Sequence, residues 1–308
     1  MRLRIFIEPG QGASYDEQLA AAKAAEELGY DGFFRSDHYL KVGTVDGLPG
    51  PTDAWVTLAG LARETSRIRL GTLVSPVTFR HPGPFAIQVA QVDQMSGGRI
   101  ELGIGAGWYE QEHAAYGIPY PQRRFDHLEE QLEIVTGLWR TETGGSYSFK
   151  GKNYEVVDSP ALPKPVQRPC PPIIMGGAGG PRSQRLAVKY ASEFNFAYGF
   201  TTADEVRATV RRLQAVSQEA GRDPATMNYS VTRTVFCGRN DSQTAQRLGM
   251  LDTIPLLGDT VISGTPAQLA DSIAQFGEAG IQTIYLRVLD LHDLDQLELM
   301  ATEVMPQV

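Results

Sequence analysis

The chain has 308 residues, 42% of them hydrophobic and 21% charged, which is ordinary globular usage for one large domain or two average ones and leaves little room for long disordered tracts. With 28 Lys and Arg against 36 Asp and Glu the net charge is -8, an argument against general affinity for nucleic acid or an acidic membrane surface. Cys170 and Cys237 are the two cysteines, too few for a disulfide framework or a cysteine-rich zinc module; with no 18-residue apolar run and no signal-peptide core, the expectation is a soluble protein of the reducing cytoplasm.

The chain opens with LRIFIEP, a nearly continuous apolar run from Leu3 that ends at Glu8. Runs apolar on both faces suit parallel strands buried beneath helices. Ser14 and Glu17 then form a capping box, Leu19, Ala22, Ala25 and Leu28 keep helical spacing, and Gly29 supplies the stop. Seven more runs follow, beginning near Asp31, Ile68, Arg99, Pro172, Ser192, Asn228 and Gln282. Between the fourth and fifth, Phe125, Leu128, Leu132, Val135 and Trp139 step by three and four residues, which predicts an amphipathic helix. The stretch 141–172 breaks the alternation with a hairpin pattern, SYSFKGKNYEVV, and then a run of prolines. Near the end, FGEAGIQTIYL repeats the order of helix, glycine and strand, with Gly280 in the role of Gly29.

Eight strands alternating with helices predict an α/β fold, a single-domain (β/α)8 TIM barrel over residues 1–308 with an insertion before strand five. An open doubly wound sheet is the competing architecture, but the GxGxxG it would carry after the first strand is absent.

A barrel gathers its functional residues at the C-terminal ends of its strands. Those ends carry Glu8, Asp37 and His38, Ser75, Trp108, the run Gly176 to Gly180, Tyr198 and Arg287. GGAGG from Gly176 can expose several backbone N–H groups at a helix start, where phosphate is favoured, or it can be a plain tight turn. His38 offers an acid or base near physiological pH. Glu8, among apolar neighbours, is a second candidate acid, or a salt-bridge partner of Arg35 or Arg287. Arg233 and Arg287, inside strands, need partners; either can hold a substrate carboxylate or neutralise Glu8 and Asp37. The histidines show no metal-ligand spacing and GxSxG is missing, so metal and serine-nucleophile chemistry are not expected.

The segments RSDHYL, LGTLVSPVTFRHPGPFAIQVAQVDQMSGGRIELGIGAGWYEQEH, RFDHLEEQLEIVTGLW and PPIIMGGAGGPRSQRLAVKYASEFN resemble the luciferase-like superfamily of flavin and deazaflavin oxidoreductases, most closely its coenzyme F420-dependent branch. The resemblance implies a deazaflavin in the barrel mouth, a small-molecule substrate, hydride transfer that reduces a C=C or C=N bond, and a homodimer. It implies a cofactor site of Asp37, His38, Leu73, Val74, Ser75, Ala106, Gly107, Gln111, Gly176, Gly177, Ala178 and Gly179, with a non-proline cis peptide at Leu73-Val74 or Val74-Ser75. Catalysis would fall to His38 and Glu8, and substrate contacts to Trp108 and Arg287. The sugar-phosphate dehydrogenases of this branch carry an acidic residue where Trp108 stands, so their substrate does not transfer. An FMN-dependent monooxygenase and a cofactor-free binding barrel are the alternatives. Substrate choice is expected from the loops after strands one, two and four and from the 141–172 insertion.

Overall fold

The computed structural model describes residues 1–196, 202–254 and 260–308. Tyr198 lies outside the described residues. Eight parallel strands close into a barrel: β1 (Arg2–Ile7), β2 (Gly32–Arg35), β3 (Arg69–Thr72), β4 (Ile100–Gly105), β5 (Ile173–Gly176), β6 (Glu193–Phe196), β7 (Asn228–Cys237) and β8 (Thr283–Val288). Closure comes from two registers, Phe6 against Arg287 between β1 and β8 and Tyr229 against Phe194 between β6 and β7. Each strand starts within one residue of its sequence-based expectation.

The helices around the barrel form for local reasons. Helix α1 (Tyr15–Glu27) begins at the expected box, with the Ser14 side chain accepting from Glu17 N–H. Gly29 follows at φ 85 and Gly280, after the equivalent helix near the C-terminus, at φ 95; a left-handed residue turns the chain straight into the next strand, and glycine does so without a Cβ penalty. Helices α2 (Ala54–Glu64) and α3 (Pro82–Ser96) precede α4 (Glu110–Ala115) and α5 (Arg124–Arg140). Leu128, Leu132, Val135 and Trp139 of α5 are buried, as their spacing requires. The barrel is completed by α6 (Pro181–Tyr190), α7 (Ala203–Glu219), α8 (Asp241–Leu248), α9 (Pro266–Glu278) and α10 (Leu294–Leu299).

The insertion contains the expected hairpin, Tyr147–Lys150 paired antiparallel with Glu155–Ser159. It packs on the outside of the barrel: Tyr147 donates to the Glu133 carbonyl, and the Glu130 carboxylate of α5 collects the backbone N–H groups of Lys152, Asn153 and Tyr154. None of residues 141–172 lines the cavity at the barrel mouth, so the expectation that they help choose the substrate is corrected. The reason is topological: a helix-to-strand connection lies at the N-terminal face, opposite the functional rim. Two short strands were not expected, Ser75–Pro76 beside β4 and Val261–Gly264 on the outer edge of β7.

The lower barrel interior is polar, built from charged residues set within the largely apolar strands. Arg4 reaches Glu101 at 2.7 Å, Asp31 at 2.5 Å and the Tyr285 hydroxyl at 2.9 Å. Burial pushes the Glu193 carboxyl above its ordinary range, and it accepts from Ser230 at 2.6 Å and Tyr285 at 2.8 Å. Each buried charge in this cluster has a polar partner, as a low-dielectric interior demands.

Candidate functional site

A cavity of about 350 Å³ opens at the C-terminal ends of the strands. All eight strand ends or their following loops contribute to it, beginning with Glu8 after β1, His38 after β2, Val74 after β3 and Trp108 after β4. Gly176 and Gly177 follow β5, Asn195 and Thr232 come from β6 and β7, and Arg287 from β8.

His38 is held by a residue that the sequence did not single out. Its Nδ1 lies 3.0 Å from Glu112 Oε2, and Glu112 Oε1 accepts from the backbone N–H groups of Tyr39 at 2.5 Å and Leu40 at 3.0 Å. Glu112 is fully buried and His38 is 19% exposed. Burial opposes a charged imidazole, but the hydrogen bond and charge of Glu112, helped by Glu8 and Asp37, outweigh it and hold His38 above its ordinary value. Burial likewise opposes ionised Glu112, and His38 with the two backbone N–H groups outweighs it, holding the carboxyl below its ordinary value. With Nδ1 committed to Glu112, Nε2 is the nitrogen available to a ligand.

Another part of the cavity wall is built of small and aliphatic groups. The Leu73-Val74 peptide is cis, as expected. Val74 sits against two glycines: a Cβ on Gly105 would come within 2.8 Å of Val74 Cγ2, and one on Gly176 within 3.1 Å of Cγ1. At Gly177, also on the cavity wall, an added Cβ would make ordinary contacts with Ser183 at 3.8 Å and Phe194 at 3.9 Å. Gly180 caps α6 without a side chain and Pro181 opens the helix, the arrangement that leaves a helix N-terminus ready for an anion.

Glu8 and Arg287 form an ion pair inside the cavity, Oε1 to Nε at 3.3 Å, with Arg287 2% and Glu8 12% exposed. Arg287 Nη1 also donates to Thr234 at 3.1 Å. Of the two partners considered for Glu8, Arg35 points away, donating to Gln18, Thr52 and Thr57 beside α1 and α2. Arg233 lies on the opposite face of β7 from Thr232, its guanidinium 4.3 Å from the centre of the Phe276 ring, as strand alternation dictates.

Trp108 stacks on Tyr109 with ring centres 4.9 Å apart and meets His38 edge-on at 5.7 Å; it stays 47% exposed at the mouth. Leu73, Ala106, Gly107 and Ala178 also line the cavity. Four of the expected cofactor residues do not. Asp37 turns beneath the wall, where its carboxylate accepts from Arg80 at 2.5 Å and Ser75 at 2.6 Å. Ser75 is buried with it and accepts from Trp55 Nε1 at 3.1 Å. Gly179 is buried at φ 67, its carbonyl taken by Gln184, and Gln111 is exposed on the outer face of α4. Asp37 and Ser75 thus brace the loops that carry His38 and Val74.

Glu112, Tyr109, Phe6, Asn195 and Thr232 line the cavity and escaped the sequence reading. Strand parity carried a signal for two of them: Asn195 alternates with Phe194 and Phe196, and Thr232 with Val231 and Arg233, which marks inward positions of a barrel. For Glu112 there was none, since Glu110, Gln111 and Glu112 are equally polar at the start of one helix.

The model of the luciferase-like monooxygenase family matches residues 1–254. An F420-dependent glucose-6-phosphate dehydrogenase of Amycolatopsis mediterranei is 31% identical over 217 residues, covering 70% of this chain and 62% of that protein. Pyrimidine monooxygenase RutA of Yersinia enterocolitica is 28% identical over 248 residues, covering 72% and 64%. The chain therefore matches somewhat under two thirds of the length of each of these relatives. An F420-dependent secondary alcohol dehydrogenase, solved with an F420-acetone adduct, superposes with a TM-score of 0.84 at 20% identity, over 100% of this chain and 98% of that one.

Proposed function

The chain belongs to the luciferase-like monooxygenase family, and from that premise we propose that it is an F420-dependent oxidoreductase that reduces a C=C or C=N bond of a small organic substrate. The observation that carries the reading is a cavity lined both by the Val74 and glycine wall and by an imidazole held by Glu112. The small residues of the wall let a ring approach the backbone, and Gly177 on the cavity wall with the uncapped start of α6 suits the phosphate of its tail. Bound there, the deazaflavin would supply a hydride.

The remaining work falls to this chain's own side chains. Glu112 holds the His38 ring and its Nδ1 proton, so Nε2 carries the proton given to the substrate atom next to the one that receives the hydride. Water then returns a proton to His38. Trp108 and Phe6 give the cavity apolar surface against which a substrate would pack. Glu8 is the competing donor; its ion pair with Arg287 favours a charge-balancing role. A homodimer in a reducing, cytoplasmic compartment completes the proposal.

An FMN-dependent monooxygenase is the second reading, favoured by the similarity to pyrimidine monooxygenase. Equilibrium binding of oxidised and reduced F420, FMN and FAD to the purified protein, followed by turnover with the tightest, separates the two. Tight FMN binding with no affinity for F420 would overturn the deazaflavin assignment.

A further inference from the structure

Among the described residues two cations face the cavity, and the fold gives each its own carboxylate. His38 has Glu112 at 3.0 Å and Arg287 has Glu8 at 3.3 Å. The rest of the described wall that a substrate would meet is apolar, from Phe6, Val74, Trp108 and Phe125, or neutral and polar, from Asn195 and Thr232. His113, also on the wall, has both ring nitrogens engaged, by the Tyr109 carbonyl at 2.7 Å and the Thr78 hydroxyl at 2.6 Å.

An anionic substrate entering this cavity finds Arg287 with a carboxylate already beside it. It would have to displace Glu8, which is tethered to the end of β1 and needs no translational entropy to stay, and until it did so it would be repelled by Glu8 itself. A neutral carbonyl, imine or conjugated alkene meets neither obstacle: His38 Nε2 offers it a hydrogen bond, and Thr232 and Asn195, already bonded to each other at 3.1 Å, add no charge.

We propose that the Glu8–Arg287 pair is a charge filter that confines this site to substrates uncharged near the reacting atoms, such as ketones, aldehydes, enones and imines, and turns away carboxylates and phosphates. The proposal deepens the oxidoreductase reading above and rests on it. It separates this chain by chemistry from a relative whose name records a phosphorylated sugar. Glu8 is on this view a specificity-determining residue, and the negative element is as important as any attraction.

The test uses the intact protein and does not need cofactor. Trp108 is 47% exposed on the cavity while Trp55 and Trp139 are 2% and 1% exposed, so quenching of tryptophan emission reports ligand entry. Cyclohexanecarboxamide and cyclohexanecarboxylate, nearly equal in shape, are titrated at neutral pH into the wild type, Glu8→Gln and the double variant Glu8→Gln/Arg287→Gln, with circular dichroism to verify folding. The wild type should bind the carboxamide and disfavour the carboxylate by about tenfold or more, the scale of one charge-assisted hydrogen bond. Glu8→Gln should raise carboxylate affinity by about the same factor, and the double variant should lose that gain. Equal wild-type affinity for both ligands, no binding of the carboxamide, no gain in Glu8→Gln, or a gain that survives the loss of Arg287 would each overturn the filter. F420 binding, measured separately, judges the oxidoreductase reading: a protein that selects the carboxamide but ignores the deazaflavin keeps the filter and loses the cofactor.

Discussion

Replacing Glu112 with Gln tests how His38 is held. In the wild type one carboxylate oxygen accepts from Tyr39 and Leu40 N–H and the other from His38 Nδ1. An amide has one acceptor oxygen. Kept on the two backbone N–H groups, it presents its NH2 to His38, and the ring must offer Nδ1 as an acceptor and become neutral. Exchanging a charge-assisted bond for a neutral one in this buried position costs about 1–2 kcal/mol. The cost depends on pH with a definite sign. His38 is raised in the fold, so its contribution is complete below the ordinary value of 6.5 and is lost as pH rises through the raised value. Glu112 is lowered, so its contribution is complete above 4.5 and is lost as pH falls through the lowered value. The stability difference between wild type and Glu112→Gln should therefore form a plateau between those two ordinary values and shrink on both sides. Urea unfolding of both proteins, from about pH 4 to about pH 9, measures it. A difference that stays flat across that range, or one under about 0.5 kcal/mol on the plateau, would refute the assignment of His38 and Glu112 as an ionised pair.

Other expectations follow from single contacts. His38→Ala should slow single-turnover hydride transfer far more than it weakens cofactor binding, because a donated proton belongs to the transition state; stopped-flow absorbance checks this, and an unchanged rate would move the donor to Glu8 or water. Gly177→Leu should weaken cofactor binding measured by titration, since the backbone there is not left-handed and a Cβ fits in ordinary contact with Ser183 and Phe194, so the longer side chain is what intrudes on the cavity wall; unchanged affinity would place the phosphate elsewhere. Arg80→Ala should destabilise the fold by about 3–5 kcal/mol, because it strands the fully buried Asp37 carboxylate that Arg80 reaches at 2.5 Å; denaturant unfolding near neutral pH would show it.

The barrel itself was legible from local pattern. Eight nearly continuous apolar runs, the Ser14–Glu17 box and the glycines at 29 and 280 each encode an element through spacing or backbone freedom that neighbouring residues share. The same locality places Glu8, His38, Val74, Gly176 and Arg287 at strand ends, and so on one rim. Which way those side chains turn is decided elsewhere. Asp37 and His38 are adjacent, yet Arg80 draws one beneath the wall and Glu112 fixes the other above it. The choice of Glu112 over Glu110 and Gln111 depends on how α4 is rotated against the loop after β2, and the Glu8–Arg287 pair exists only because β1 and β8 meet when the barrel closes. Spacing along a chain carries no trace of a contact between residues some 280 positions apart; the amino-acid sequence determined the framework and the candidate chemistry, and packing in three dimensions determined which charges cancel.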